Sequence, residues 1–425
     1  MTSSFDNRRL GRLRRRPLGR YRYVRLRWRV LFAVVDFFGG LLFGTVRALR
    51  NRLLRSRSLG PDALQPRIIL LVQLDHLGDA LISTVMLPLL RRRWPKASIE
   101  VLASPANREV FYATPEVDRV YVCRANRFAR DRRLPLAWLI SIVGWGLFFR
   151  GHGVDLAIDP RGEFPLALLL WLTGARRRLG WSCGGGGFLL TDSPAYVPGR
   201  PEFASRLALL EQLGIKPLPH ENRSPCFRPS PAARRQVAKR LAELDHAAPP
   251  IVVHVGAGVP AKKWPSAHWA ALLAQLRRRR RAQLILVGSG DDRPIAQEIL
   301  NAAPGAIDWT GRLDLSQLAA LLEQADLLVG ADSGPAHLAA AVGTPVVALF
   351  SGTNQPDQWQ PRGSPVVVLR NPVACSPCHR HHCPQPDHPC MNGLDPRLVL
   401  TAAEWMLARR AATLARCASE GNESR

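Results

Sequence analysis

Three short segments of this chain carry side chains suited to proton transfer and to anion binding. The first is Asp75–Asp79 (DHLGD), where the Asp79 carboxylate follows Gly78 just past the apolar run Arg67–Leu74. A carboxylate at the end of a strand can accept a proton from a bound hydroxyl. The same residue could cap a helix, and Asp75 competes with it as the base. The second segment is His254–Trp269 (HVGAGVPAKKWPSAHW), in which Gly256 and a further glycine precede Lys262 and Lys263, two of only five lysines in the chain. In a protein that otherwise uses arginine, compact ammonium groups beside a glycine loop suit a diphosphate, with a solvated surface pair as the alternative. The third is Gly330–Pro345 (GADSGPAHLAAAVGTP). Asp332 and Ser333 stand there at a helix N-cap, Gly334 lets backbone approach a ligand, and the exposed amides favour an anion. N-caps of this kind also occur throughout α/β folds without any ligand.

These segments need rigid elements to hold them, and the surrounding text supplies an α/β pattern. Short apolar runs alternate with helical stretches, as in a parallel sheet built from β-α-β units. Strands are predicted at Arg67–Leu74, Ser98–Ala103, Val120–Cys123 and Asp155–Asp159, with a helix over Ala80–Trp94. After a Pro-rich hinge region at Pro217–Pro250 the pattern restarts, with strands at Ile251–Val255, Gln283–Val287, Asp326–Gly330 and Pro345–Phe350. The expectation is two Rossmann-like domains facing a central cleft, over residues 67–230 and 248–400, with a C-terminal helix and tail at 401–425. Ligands in such sheets bind beyond the carboxyl ends of the strands, which points to the loops after Leu74, Val255, Gly288 and Gly330. Leu134–Phe149 is apolar all round and of core-helix length; a second membrane contact is the other reading.

The chain has 425 residues, 47% of them apolar and 22% charged, which excludes a disordered or fibrous protein. Its net charge of +26 is concentrated at the start: residues 1–60 hold 16 arginines and no lysine against Asp6 and Asp36. Arginine blocks there flank an apolar run, residues 30–46, that is shorter than the roughly 20 residues a bilayer span needs. This arm reads as an anchor on an anionic membrane surface, with Phe32, Phe37, Phe38 and Phe43 in the acyl boundary. A disordered basic tail followed by a core helix is the alternative, while a nucleic-acid arm fits poorly with so long an uncharged run. No A-x-A cleavage site follows the run, so a secretory signal is not expected. Near the other end, Cys375, Cys378, Cys383 and Cys390 lie among four histidines, a ligand density that could hold a structural zinc or belong to a reduced loop. The tetraglycine Gly184–Gly187 reads as a flexible loop.

Taken together, LVQLDHLGDALISTVMLPLLRRRWPKASI, HVGAGVPAKKWPSAHW and ADSGPAHLAAAVGTPVVALFSGTNQPDQWQP resemble glycosyltransferase family 9, the ADP-heptose:lipopolysaccharide heptosyltransferases. The resemblance runs from about Arg67 to Leu400. It implies a GT-B fold, with the acceptor held by the N-terminal domain and the nucleotide sugar mainly by the C-terminal one. It matches Asp79 to the family's catalytic base and Lys262 to its phosphate-contacting lysine. Asp332, Ser333, Gly334 and His337 match the D-[ST]-G-x-x-H segment at the nucleotide-binding helix, His337 more as a packed imidazole than as a catalytic group. Gln73 stands where the family commonly has a basic residue, Asp75 where it has a small one, and Val85 where a proline is expected. These departures all fall on the acceptor side.

The implied reaction is inverting, metal-independent transfer, most simply of heptose from ADP-heptose to a lipopolysaccharide-core or other envelope glycan. Its implied place is the inner face of the bacterial cytoplasmic membrane. The alternatives are a sugar-nucleotide epimerase or hydrolase of the same fold, or a non-catalytic sugar-nucleotide-binding protein.

Overall fold

The computed structural model describes residues 21, 26–54, 64–124, 135–218, 224–244, 249–280 and 283–423. They fall into two compact units, Met1–Pro198 with Phe203–Asn222, and Gly199–Glu202 with Arg223–Arg425. The first unit carries a five-stranded sheet of β1 (Ile68–Gln73), β2 (Ser98–Ala103), β3 (Arg119–Val122), β4 (Leu156–Asp159) and β5 (Arg177–Gly180), in the order β3-β2-β1-β4-β5. The second carries β6 (Ile251–His254), β7 (Leu284–Val287), β8 (Ile307–Asp308), β9 (Leu327–Ala331), β10 (Val346–Leu349) and β11 (Val366–Leu369), in the order β11-β10-β9-β6-β7-β8. Every pairing is parallel. The central strands are continuous apolar runs because helices cover both faces and leave no polar side.

In each sheet the first strand lies between the second and the fourth, so the order reverses beside β1 and β4 in one unit and beside β6 and β9 in the other. The chain leaves adjacent strands in opposite directions there, which opens a crevice at their carboxyl ends. The sequence pattern missed β5, β8 and β11. β5 reads RRLG, with two arginines that hide its strand character, and β8 has two residues.

The helix expected over Ala80–Trp94 is instead three pieces: Leu77–Ser83, a 3-10 turn Thr84–Met86, and Leu87–Arg93. Pro88 lacks an N–H to donate back to the Thr84 carbonyl, so the α-helical ladder tightens and restarts at Leu87.

Leu26–Leu54 is one helix belonging to the first unit, while the basic residues 1–20, 22–25 and 55–63 lie outside the described residues. Its inner side is docked on protein. Asp36 accepts a 2.7 Å hydrogen bond from the Gly186 N–H and a 2.8 Å one from the Tyr21 hydroxyl. Phe32 packs on Phe164 at 5.6 Å between ring centroids, and Phe43 on Phe188 at 5.3 Å and on Trp171 at 5.6 Å. A Cβ at Gly39 would strike the Phe188 ring, so glycine is what lets the helix lie this close. The placement of Phe32 and Phe43 in the acyl boundary is therefore corrected, whereas Phe37 and Phe38 are 67% and 63% exposed. Nor is the tetraglycine merely flexible: Gly185 and Gly186 adopt positive φ, and Gly185 approaches the Phe32 ring.

Helix Pro135–His152 is likewise two-sided. Trp138, Ile142 and Phe149 enter the core, while Leu139, Ile140, Leu147 and Phe148 face outward. Among the described residues, no helix is long and apolar enough to cross a membrane.

Replacing Gly39 by Leu should therefore prise helix Leu26–Leu54 from Phe188 without disturbing the sheets. Amide hydrogen exchange should accelerate across residues 26–45 and stay unchanged in β6, β7 and β9; equal protection in the helix would contradict the docking described.

Candidate active site

The reversal in the first sheet gathers a buried charged cluster. Past β1 the chain turns through Leu74, Asp75 and His76, and this turn is held from below. The Asn107 amide donates to the backbone oxygens of Gln73 (3.1 Å) and Asp75 (3.0 Å), and itself accepts from the Ser104 N–H at 2.9 Å. Asp79 is the third residue of helix Leu77–Ser83, whose N-cap is His76, so it is not the N-cap residue. Its carboxylate is 6% exposed and stands 3.7 Å from the Arg161 guanidinium and 3.6 Å from that of Arg206.

Both arginines escaped the sequence reading. Arg161 follows β4, the strand beside β1, in the turn Asp159–Gly162. Asp159 accepts the N–H groups of Arg161 (2.9 Å) and Gly162 (3.0 Å), and Gly162 takes φ +78° against Trp181. From this turn Arg161 donates to Asp75 at 3.1 Å and to Glu163 at 3.0 Å. Arg206 is interior to helix Glu202–Leu210 and fully buried, fixed on Ser83 Oγ (3.2 Å) and the Pro160 carbonyl (2.7 Å). The signal for Arg161 was present in the predicted strand and in Gly162 directly after it, but only the strand order makes that loop a neighbour of Asp79. Nothing local marks Arg206.

Four acids, Asp75, Asp79, Asp159 and Glu163, here meet two guanidiniums. Burial pushes the Asp75 carboxyl up to about 6, and the Asp79 charge adds to this, against the opposing pull of Arg161 and Arg206. Burial likewise pushes Asp159 up to about 7, against the two N–H groups it accepts. Burial disfavours the charge on Arg161, yet Asp75, Asp79 and Glu163 outweigh it and hold the guanidinium well above its ordinary value.

The second reversal, beside β6 and β9, collects the other predicted residues. Lys262 ends a 3-10 turn, Pro260–Lys262, and its ammonium reaches Asp332 Oδ2 at 2.6 Å and the Asp332 carbonyl at 3.2 Å. Asn354 donates to the same Asp332 oxygen at 2.7 Å. Ser333 is the N-cap of helix Gly334–Ala341 but makes no side-chain cap bond; its hydroxyl bonds the Ala331 carbonyl at 3.0 Å and lies 3.3 Å from His254 Nδ1. Burial pushes His254 down to about 4, so the imidazole is neutral despite the opposing Asp292 charge. His337 is buried inside the helix. A Cβ at Gly256 would collide with the Asp292 carboxylate, which gives that glycine a packing reason. Asp292 itself closes a capping box with Ser289. Lys263 stands 3.9 Å from Asp292.

The structural zinc weighed at Cys375, Cys378, Cys383 and Cys390 as the alternative to a reduced loop is not supported. Among the described residues, no group of three or more His, Cys, Asp or Glu side chains gathers as a metal would require. Cys390 is buried with Met391 and Leu394 in the core of the second unit, whereas Cys375 is exposed. The segment instead clasps the lysine turn: the Ala261 N–H donates to the His381 carbonyl at 3.0 Å, and His388 Nε2 lies 3.1 Å from the Ala261 carbonyl.

Two Rossmann-like units, each with polar and charged side chains at the reversal of a parallel sheet, define the GT-B class of glycosyltransferase. The chain belongs to glycosyltransferase family 9 (heptosyltransferase), whose profile matches residues 149–388. It is 26% identical over 295 residues to lipopolysaccharide heptosyltransferase 3 of Escherichia coli, covering 67% of this chain and 83% of that one. To lipopolysaccharide heptosyltransferase 2 of Salmonella typhimurium it is 27% identical over 356 residues, covering 80% and 98%. The solved structure of E. coli ADP-heptose lps heptosyltransferase II superposes with a TM-score of 0.66 at 25% identity, over 81% of this chain and 99% of that one.

The raised Asp75 carboxyl has a thermodynamic consequence. A group whose folded pKa exceeds its unfolded one contributes stability that is complete below the unfolded value and is lost as pH rises through the folded value. Asp75→Asn should therefore gain on the parent protein between about pH 4 and about pH 6, by at most about 1.4 kcal/mol per pH unit. Urea unfolding at stepped pH checks this, and a constant gap between the two proteins would refute the assignment.

Proposed function

We propose that this chain transfers heptose from ADP-heptose to the core of lipopolysaccharide or a closely related envelope glycan, the second unit holding the donor and the first the acceptor. The observation that carries the reading is Asp79, a buried carboxylate at the carboxyl end of β1, set between two guanidiniums by the strand that reverses the sheet. Its relatives of known activity are named for heptose transfer to lipopolysaccharide or lipooligosaccharide.

In the proposed reaction Asp79 accepts the proton of an acceptor hydroxyl as that oxygen bonds to the anomeric carbon. The bond from this carbon to the diphosphate breaks, its electron pair leaves with ADP, and the configuration inverts. Arg161 and Arg206 orient the Asp79 carboxylate. Lys262 and the amides at Ser333–Gly334 meet the charge that develops on the leaving diphosphate. Asp332 holds the Lys262 ammonium in place until the donor shares it. The arginine-rich arm would keep the enzyme on the inner face of the cytoplasmic membrane, beside a lipid-linked acceptor.

Asp79→Asn should lower kcat for ADP-heptose-dependent transfer by at least about a hundredfold while leaving the ADP-heptose dissociation constant unchanged; surviving turnover would overturn the mechanism. Lys262→Ala should act on the donor instead, weakening ADP-heptose binding by about tenfold or more, the loss of one charge-assisted contact. Thermal stabilisation by ADP-heptose should exceed that by UDP-, GDP- or CDP-sugars, and a preference for another base would displace the proposed donor.

A further inference from the structure

We infer that the outward faces of helices Leu26–Leu54 and Pro135–His152 form one continuous surface that inserts into an anionic bilayer, so that the folded first unit, and not the arm alone, sits on the membrane. The inference rests on the peripheral-membrane reading above and adds a second element to it.

The two helices are joined through a third. Phe32 and Phe43 of the arm helix pack on Phe164 and Trp171 of helix Phe164–Leu172. On the other side of that helix, Gly146 of Pro135–His152 lies against Leu172, where a Cβ would meet the leucine's own. Trp171, which packs on Phe43 and precedes Leu172 in the chain, is itself 36% exposed. Val30, Val34, Phe37, Phe38 and Leu41 project from the first helix, and Ile140, Val143, Leu147 and Phe148 from the second, at the three- and four-residue spacings of one helix side. So large an apolar area is not an ordinary solvent face.

Charge identifies the occupant. Helix Pro135–His152 contains no acidic residue, and the single acid of Leu26–Leu54, Asp36, is turned inward on Gly186. Arginines border both apolar stretches. Arg27 is exposed and lies over the Trp28 ring at 5.5 Å, Arg150 is exposed at the end of the second helix, and Arg130, Arg132 and Arg133 precede it in sequence. An apolar face without an acid, bordered by arginines that outnumber the one acid, Asp131, in the segment before the second helix, matches acyl chains beneath anionic headgroups. A protein partner of ordinary mixed charge would not require that rim.

Two glycines allow a clean test, because a Cβ at Gly144 or Gly44 meets open space and a substitution there disturbs no packing. The full chain is floated with phosphatidylcholine vesicles with and without phosphatidylglycerol. The parent should bind the anionic vesicles, and Gly144→Glu and Gly44→Glu should each lower partitioning by about tenfold or more, while Gly144→Leu keeps or strengthens it. Thermal melting should show all variants folded. If the parent fails to float, the peripheral reading and this inference fall together. If Gly44→Glu releases the protein but Gly144→Glu does not, the arm is the anchor and the two-helix surface is refuted. If Gly144→Glu instead splits a dimer in sedimentation and leaves vesicle binding intact, the face is a contact between copies and the inference is equally overturned.

Discussion

A single guanidinium organises the chemistry of the first unit. Arg161 bonds Asp75 and Glu163 and stands at ion-pair distance from Asp79; the two aspartates are buried, while Arg161 and Glu163 are half-buried. Removing it would leave like charges facing one another in a medium of low dielectric, where repulsion is strong and solvation weak. The turn that carries it is correspondingly over-determined, with Asp159 accepting two of its N–H groups and Gly162 seated against Trp181. Arg206 completes the arrangement from a helix remote in sequence, and its own bonds to Ser83 and Pro160 tie the β1 and β4 loops together. The result is a carboxylate whose position is set by charge balance as much as by backbone.

The second unit solves a related problem with fewer charges. Lys262, Asp332 and Asn354 form a compact polar set, and the neutral His254 supports Ser333 from beneath without adding charge near the helix N-terminus. The cysteine- and histidine-rich segment contributes backbone contacts to the turn bearing Lys262. Its cysteines are explained by burial at Cys390 and otherwise by nothing in the structure.

The arm helix connects to this machinery by direct packing. Asp36 holds Gly186, the neighbouring Gly184 lies against the Gly162 carbonyl and bridges to Glu163, and Glu163 bonds Arg161. A surface helix and the charged cluster thus share one short chain of contacts.

Much of this was legible in the amino-acid order. Continuous apolar runs announce buried parallel strands, and the Asp79, Lys262 and Asp332 segments stand at strand ends because each motif contains its own strand, turn and helix start. The four-cysteine spacing left a metal site and a reduced loop both open, and among the described residues no group able to hold a metal forms. The two-sided helices could not be read, because a helix apolar all round gives no period to say which face the core takes. Arg161 and Arg206 lay beyond reach for a different reason: Asp79, which both face, is 82 and 127 residues away, and only the strand order, with β4 placed beside β1, decides which loops meet. Local sequence sets which backbone forms where; long-range pairing of charges in a buried crevice is a property of the folded sheet.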